Sequence, residues 1–70
     1  GEDLIVYPNP VGDVLTINQN VDLKVFDYSG RMILSKNNIN TIETSLWAPG
    51  MYTVCIAYGS RSVVKRIIKQ

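Results

Sequence analysis

The chain has no histidine and one cysteine, Cys55. Without histidine there is no nucleophile–His dyad and no mixed Cys and His metal cage, and one thiol cannot close an intramolecular disulfide. Cys55 lies in the apolar run Tyr52-Thr53-Val54-Cys55-Ile56-Ala57. A buried structural thiol is expected there, because free cysteine is among the most buried residue types. No acidic residue follows Glu43. Residues 1–43 hold three basic and six acidic side chains, a net of −3, and residues 44–70 hold four basic and no acidic ones, a net of +4. Such asymmetry hints at an interaction surface, unless strands from the two halves interleave and cancel it. No apolar stripe of helical period is long enough for a stable helix. Neither a secretory signal peptide nor a membrane-length apolar segment is visible, so the sequence is expected to be a piece of a longer protein.

What is present is a single small domain of 70 residues, 46% hydrophobic. A chain this short buries roughly 60% of the surface that it exposes when unfolded, so its core is thin. Short apolar runs alternate with turn residues: Leu4-Ile5-Val6-Tyr7, Val14-Leu15-Thr16-Ile17, Leu23 to Tyr28, Arg31 to Ser35, Asn40 to Ser45, Met51 to Tyr58 and Arg61 to Gln70. About seven short strands separated by turn signals predict an all-β fold, an antiparallel sandwich or a small barrel. Pro8-Asn9-Pro10 ends the first run, because proline donates no hydrogen bond. Asn18-Gln19-Asn20 and Lys36-Asn37-Asn38 are read as breaks. Tyr28-Ser29-Gly30-Arg31 is read as a hairpin turn with Gly30 at positive φ, with Asp27 bonding the turn amides. Ala48-Pro49-Gly50-Met51 matches a type II turn, and Gly59-Ser60 a two-residue type II′ loop. Alternation places Leu15 with Ile17, Leu23 with Val25, and Tyr52 with Val54 and Ile56. In the last run it sets Val64, Arg66 and Ile68 against Val63, Lys65, Ile67 and Lys69. Trp47 is expected to plug one end of the core.

Chemistry is hard to find. Asp13, Asp22, Asp27 and Glu43 have no metal-loop spacing, no acid–base pair is visible, and the chain is too short for a closed pocket. The expectation is no enzyme, no cofactor and no metal. The basic end lacks the clustered arginines and stacking aromatics of a nucleic-acid site. Lys65, Arg66 and Lys69 on an edge strand have a plain reading as charges that block sheet-to-sheet aggregation, and a functional one as a strand offered to a receptor by β-augmentation. An open edge also permits a dimer.

Four stretches taken together resemble a known family. They are Tyr7-Pro8-Asn9-Pro10-Val11-Gly12-Asp13-Val14-Leu15-Thr16-Ile17, Val25-Phe26-Asp27-Tyr28-Ser29-Gly30-Arg31, Leu46-Trp47-Ala48-Pro49-Gly50-Met51-Tyr52 and Val64-Lys65-Arg66-Ile67-Ile68-Lys69-Gln70. In order and spacing they resemble the type A C-terminal sorting domain of proteins exported by the type IX (Por) secretion system of Bacteroidetes. The resemblance implies an immunoglobulin-like β-sandwich over residues 1–70, at the end of an upstream cargo. It implies passage through the periplasm, recognition by the outer-membrane machinery, and delivery to the cell surface or beyond. A separate sortase then removes the domain. It also implies that recognition involves Lys65, Arg66, Ile67, Ile68, Lys69 and Gln70. Pro8, Pro10 and Gly12 correspond to the family's early motif, and Gly59 to the approach to its last strand; Gly30, Pro49 and Gly50 serve the turns. Cys55 is not a family signature, and the Ile42-Glu43-Thr44-Ser45-Leu46 segment lacks an aspartate that such domains often carry. The competing reading is an immunoglobulin-like accessory module that binds carbohydrate, through Trp47, or protein; a structural spacer is a third.

Overall fold

A computed structural model describes residues 4–70. Those residues form five strands: β1 (Val6–Tyr7), β2 (Val14–Phe26), β3 (Met32–Glu43), β4 (Gly50–Tyr58) and β5 (Arg61–Lys69). All named strand pairs are antiparallel and belong to one curled sheet. The all-β, antiparallel expectation holds. The expected seven-strand sandwich is replaced by five strands curled into a half-barrel.

The difference lies in two polar segments that do not break their strands. In β2 the inward positions run Leu15, Ile17, Gln19, Val21, Leu23 and Val25, a period of two that passes straight through Asn18-Gln19-Asn20. Two expected strands are therefore one. Asn18-Gln19-Asn20 and Lys36-Asn37-Asn38 lie along the same long β2–β3 ribbon, whose register shifts between Thr16 and Val21 and again between Val21 and Leu23. Asn38 takes a left-handed backbone with φ 53°, a conformation that asparagine tolerates better than most residues. The Asp22 carboxylate accepts the Asn38 N–H at 2.8 Å, and the Asn20 amide donates to the Asn38 side chain at 3.2 Å. Bulges bend a ribbon and increase its twist. Here one end of β2 pairs with β1 at Thr16 and Ile17, and the other pairs with β4 from Asp22 to Phe26. The curl follows from that bend.

The concave side holds the core, including Val11, Leu15, Ile17, Val25, Val54, Ile56 and Ile67. Trp47 packs against it, its ring 4.7 Å from that of Tyr52, whose hydroxyl donates to the Ala48 carbonyl at 2.6 Å. Thr44 is fully buried: its hydroxyl donates to the Gly12 carbonyl at 2.7 Å and its N–H to the Asp13 carbonyl at 2.8 Å. Cys55 is only half-buried, which corrects the expectation of a buried thiol. With Tyr52, Val54 and Ile56 turned inward, parity turns Cys55 to the convex face, across from Lys24 and Val64.

The turns also shift. In the β2–β3 hairpin the Gly30 N–H donates to the Asp27 carbonyl at 2.9 Å, so the turn is Asp27-Tyr28-Ser29-Gly30 and Gly30, at φ 89°, is its last residue. This is the three-residue hairpin loop with glycine in the left-handed position. Between β3 and β4 the hydrogen-bonded turn spans Thr44 to Trp47 rather than Ala48 to Met51, the Trp47 N–H donating to the Thr44 carbonyl at 3.0 Å. Gly50 opens β4 at φ 144°. Tyr58 pairs with Arg61 across Gly59-Ser60, with Gly59 at φ 58° and Ser60 at negative φ, as a type II′ loop requires.

Two predictions come from the Asp27 hairpin. Nothing lies within 4 Å of a Cβ built on Gly30, so Gly30→Ala costs backbone strain and no clash. It is expected to destabilise by about 1 kcal/mol or more and to lower the melting midpoint by roughly 4–8 °C; an unchanged midpoint contradicts this. The Asp27 carboxylate accepts the Ser29 hydroxyl at 2.7 Å and the N–H groups of Arg31 and Ser29 at 3.0 and 2.9 Å, with the Arg31 guanidinium 3.4 Å away. The Ser29 hydroxyl bond, then the Arg31 N–H, hold its pKa below the usual 3.8. A lowered folded pKa stabilises above the unfolded value and loses that contribution as pH falls through the folded one. The stability advantage of wild type over Asp27→Asn should therefore shrink as pH falls below about 3.8, measured by denaturation across acid pH; a constant gap contradicts the assignment.

Candidate functional site

The last strand pairs with β4 along its whole length, from Tyr58 opposite Arg61 to Gly50 opposite Lys69. Strand geometry sends alternate side chains to opposite faces. Val63, Lys65, Ile67 and Lys69 turn to the concave side and Val64, Arg66 and Ile68 to the convex side, as the alternation predicted. Burial then separates the six residues 65–70. Ile67 is 1% exposed and belongs to the core. Lys69 is 8% exposed and turns to the concave side; a lysine stem can cover apolar surface. Lys65 is half-buried, and Arg66, Ile68 and Gln70 are exposed.

The edge of this strand is where sequence reasoning missed most. The last strand was expected to offer a free edge, and over residues 66–70 it does not. In the structure the Val11 N–H donates to the Ile68 carbonyl at 2.7 Å and the Gln70 N–H donates to the Val11 carbonyl at 3.0 Å. The Asn9 side chain accepts the Ile68 N–H at 2.9 Å and donates to the Arg66 carbonyl at 3.3 Å. Val11 thus forms a parallel bridge to Lys69. Pro8 and Pro10 have no N–H to offer, and the Tyr7-Pro8 and Asn9-Pro10 peptide bonds are cis. Of this segment, the Asn9 amide group and the Val11 backbone make the bonds to β5. Pro-Asn-Pro is therefore more than a loop that ends β1. The middle residue copies, with a side chain, the donor and acceptor of a neighbouring strand.

By ladder parity, Ser62 and Val64 also turn their main-chain groups away from β4, to the side where the 9–11 segment bonds Ile68. Residues 4–6 stand apart from β5 there, and an open groove of about 530 Å³ lies between them, lined in part by Leu4, Val6, Arg61, Val63, Lys65 and Arg66. A second hollow, of about 480 Å³, lies at the end with the 27–31 and 44–50 loops, beside Tyr28, Leu46, Trp47 and Met51. Among the described residues no group of three His, Cys, Asp or Glu side chains is placed to hold a metal ion.

The geometry is that of a small all-β domain whose last strand is held by β4 on one side and by Asn9 and Val11 on the other. The chain belongs to the secretion system C-terminal sorting domain family, whose model matches residues 5–70. It is a C-terminal secretion signal for the type IX secretion system, and so interacts with that machinery and directs export across the outer membrane toward the cell surface or the extracellular space. No curated protein matches the chain.

The hold on the strand makes a local prediction. Asn9→Ala removes two hydrogen bonds, each worth about 0.5–1.5 kcal/mol. Hydrogen exchange at the Ile68 amide should accelerate, while the Ile67 amide, turned to β4, keeps its protection. Equal exchange at Ile68 in variant and wild type contradicts the contact.

Proposed function

We propose that the export machinery reads the outward side chains of the clamped strand, Arg66, Ile68 and Gln70, with Lys65 at the rim. Ile67 and Lys69 act beneath them by fixing the strand to the core. The observation that supports this is the hold of Asn9 and Val11 on residues 66–70, which gives the chain's last residues one conformation. A preordered strand binds without a further ordering cost. The basic groups steer it toward an acidic surface. The domain does no chemistry of its own. In this reading it follows an upstream cargo through the periplasm, and a separate sortase removes it once the cargo has crossed, leaving the cargo attached to the surface or released.

The test separates reading from folding. Ile67→Ala is uninformative, since emptying a core site costs about 2–5 kcal/mol, a large share of a small domain's stability of about 5–15 kcal/mol. Arg66 and Ile68 are exposed, and surface changes stay mostly within about 0.5 kcal/mol. With residues 1–70 fused to a periplasmic reporter in a cell that carries the machinery, the double variant Arg66→Glu, Ile68→Ala should keep its melting midpoint. Its surface delivery should drop about tenfold or more, the equivalent of roughly 1.4 kcal/mol of lost recognition. Delivery equal to wild type by this folded variant overturns the reading.

A further inference from the structure

The groove beside β5 is an unfinished part of the sheet. Residues 4–11 and β5 run in the same direction, since the bridge of Val11 to Lys69 is parallel. They bond at Asn9 and Val11, and nearer Leu4 and Arg61 the groove of about 530 Å³ separates them. Its volume falls within the roughly 300–1,000 Å³ of ligand pockets. Ser62 and Val64 are not among its lining residues, but they alternate along β5 with Arg61, Val63 and Lys65, which are, and they carry the outward main-chain groups of that strand. The Asn18 N–H donates to the Ile5 carbonyl at 3.0 Å, so Ile5 faces β2 and Val6, by parity, turns away from it. Ser62 and Val64 turn outward from β4 in the same way, and Val64 is 58% exposed. The lining combines Leu4, Val6 and Val63 with Arg61, Lys65 and Arg66, and among the described residues it includes no acidic one.

We infer that this groove takes an extended peptide strand in which acidic side chains alternate with apolar ones. Its main chain pairs with the outward groups of Ser62 and Val64, its apolar side chains cover Leu4, Val6 and Val63, and its carboxylates meet Arg61 and Lys65. Strand addition at an exposed edge draws affinity from main-chain bonds and specificity from alternate side chains. Charge selects the occupant. A second copy offering its own β5 sets lysine and arginine against lysine and arginine, and like charges directly opposite destabilise a strand pair. The site extends the sorting role stated above and rests on that role only in placing the acidic strand on the export machinery.

The probe is a nine-residue peptide of alternating valine and glutamate, with valine and lysine in the control, titrated into isotope-labelled chain 1–70 at physiological salt. The glutamate peptide should shift the amides of Ser62, Val64 and Val6 and leave the 27–31 hairpin unmoved. Val64→Pro removes an outward-facing N–H, a place where an edge strand accepts proline, and should weaken binding at least tenfold. Arg61→Glu with Lys65→Glu should lose the glutamate peptide and bind the lysine one. The inference is overturned by the absence of shifts at these amides, by binding that Val64→Pro leaves intact, or by concentration-dependent shifts of the same amides without peptide, which make a second copy the occupant. A reporter fusion separates the two claims. If the wild-type domain delivers the reporter and Val64→Pro delivers it equally, the groove loses its place in export while the sorting role stands. If the wild-type domain delivers nothing, the sorting role fails and the peptide titration still decides the groove.

Discussion

The structure depends on how the outer edge of its last strand is satisfied. A strand at the border of a sheet presents a row of unpaired N–H and C=O groups, which invites pairing with whatever strand comes near. Over residues 66–70 this row is met from within the chain by Asn9 and Val11. The contact is confined to one amide side chain and one backbone unit, and the sheet stays open nearer Arg61. One short motif therefore holds the end of β5 and leaves its beginning free.

That division gives the strand two kinds of surface. Near the end of the chain the edge is occupied, and only the outward side chains can be reached. Near Arg61 an open groove lies beside the strand, with a partly apolar floor and positive charges. Positive charge serves both regions. It discourages uncontrolled association of an open edge and, in the proposed reading, favours an acidic partner. The alternation of apolar and basic residues on both faces, unusual for a strand in a closed sheet, follows from this. Ile67 anchors the strand in the core, Lys69 turns to the concave side, and Arg66 and Ile68 stand outside. In the proposed reading fold and signal are coupled, because the residues that display the strand also complete the core of a small domain.

Much of this was legible in the sequence. Period-two alternation gave the inward faces of β4 and β5 and the shared sides of Leu15 with Ile17 and Leu23 with Val25. Gly30 and Gly59 announced their turns, and Asp27 its hydrogen bonds to the hairpin. Trp47 packs where a plug was expected. The strand count was misread because Asn18-Gln19-Asn20 and Lys36-Asn37-Asn38 look like turns by composition. The continuous inward parity of positions 15, 17, 19, 21, 23 and 25 was the signal that β2 does not stop, but local propensity is weak evidence where a bulged ribbon supplies partners for polar residues. Cys55 was placed by its apolar neighbours instead of by its parity against Val54 and Ile56. Asn9 and Thr44 were the hardest to foresee. Each bonds a backbone group distant in sequence, at Ile68 and Arg66 for the first and at Gly12 for the second, and no local pattern announces such a contact.

The central claim is that the signal is a strand held in one conformation, and not only a set of basic and apolar residues. Surface delivery of a reporter fused to the Asn9→Ala domain tests it most directly, because the change leaves every side chain of β5 intact and releases part of its edge. The account predicts that delivery falls in step with the loss of order at Ile68. Wild-type delivery from a domain whose Ile68 amide has become freely exchanging contradicts it.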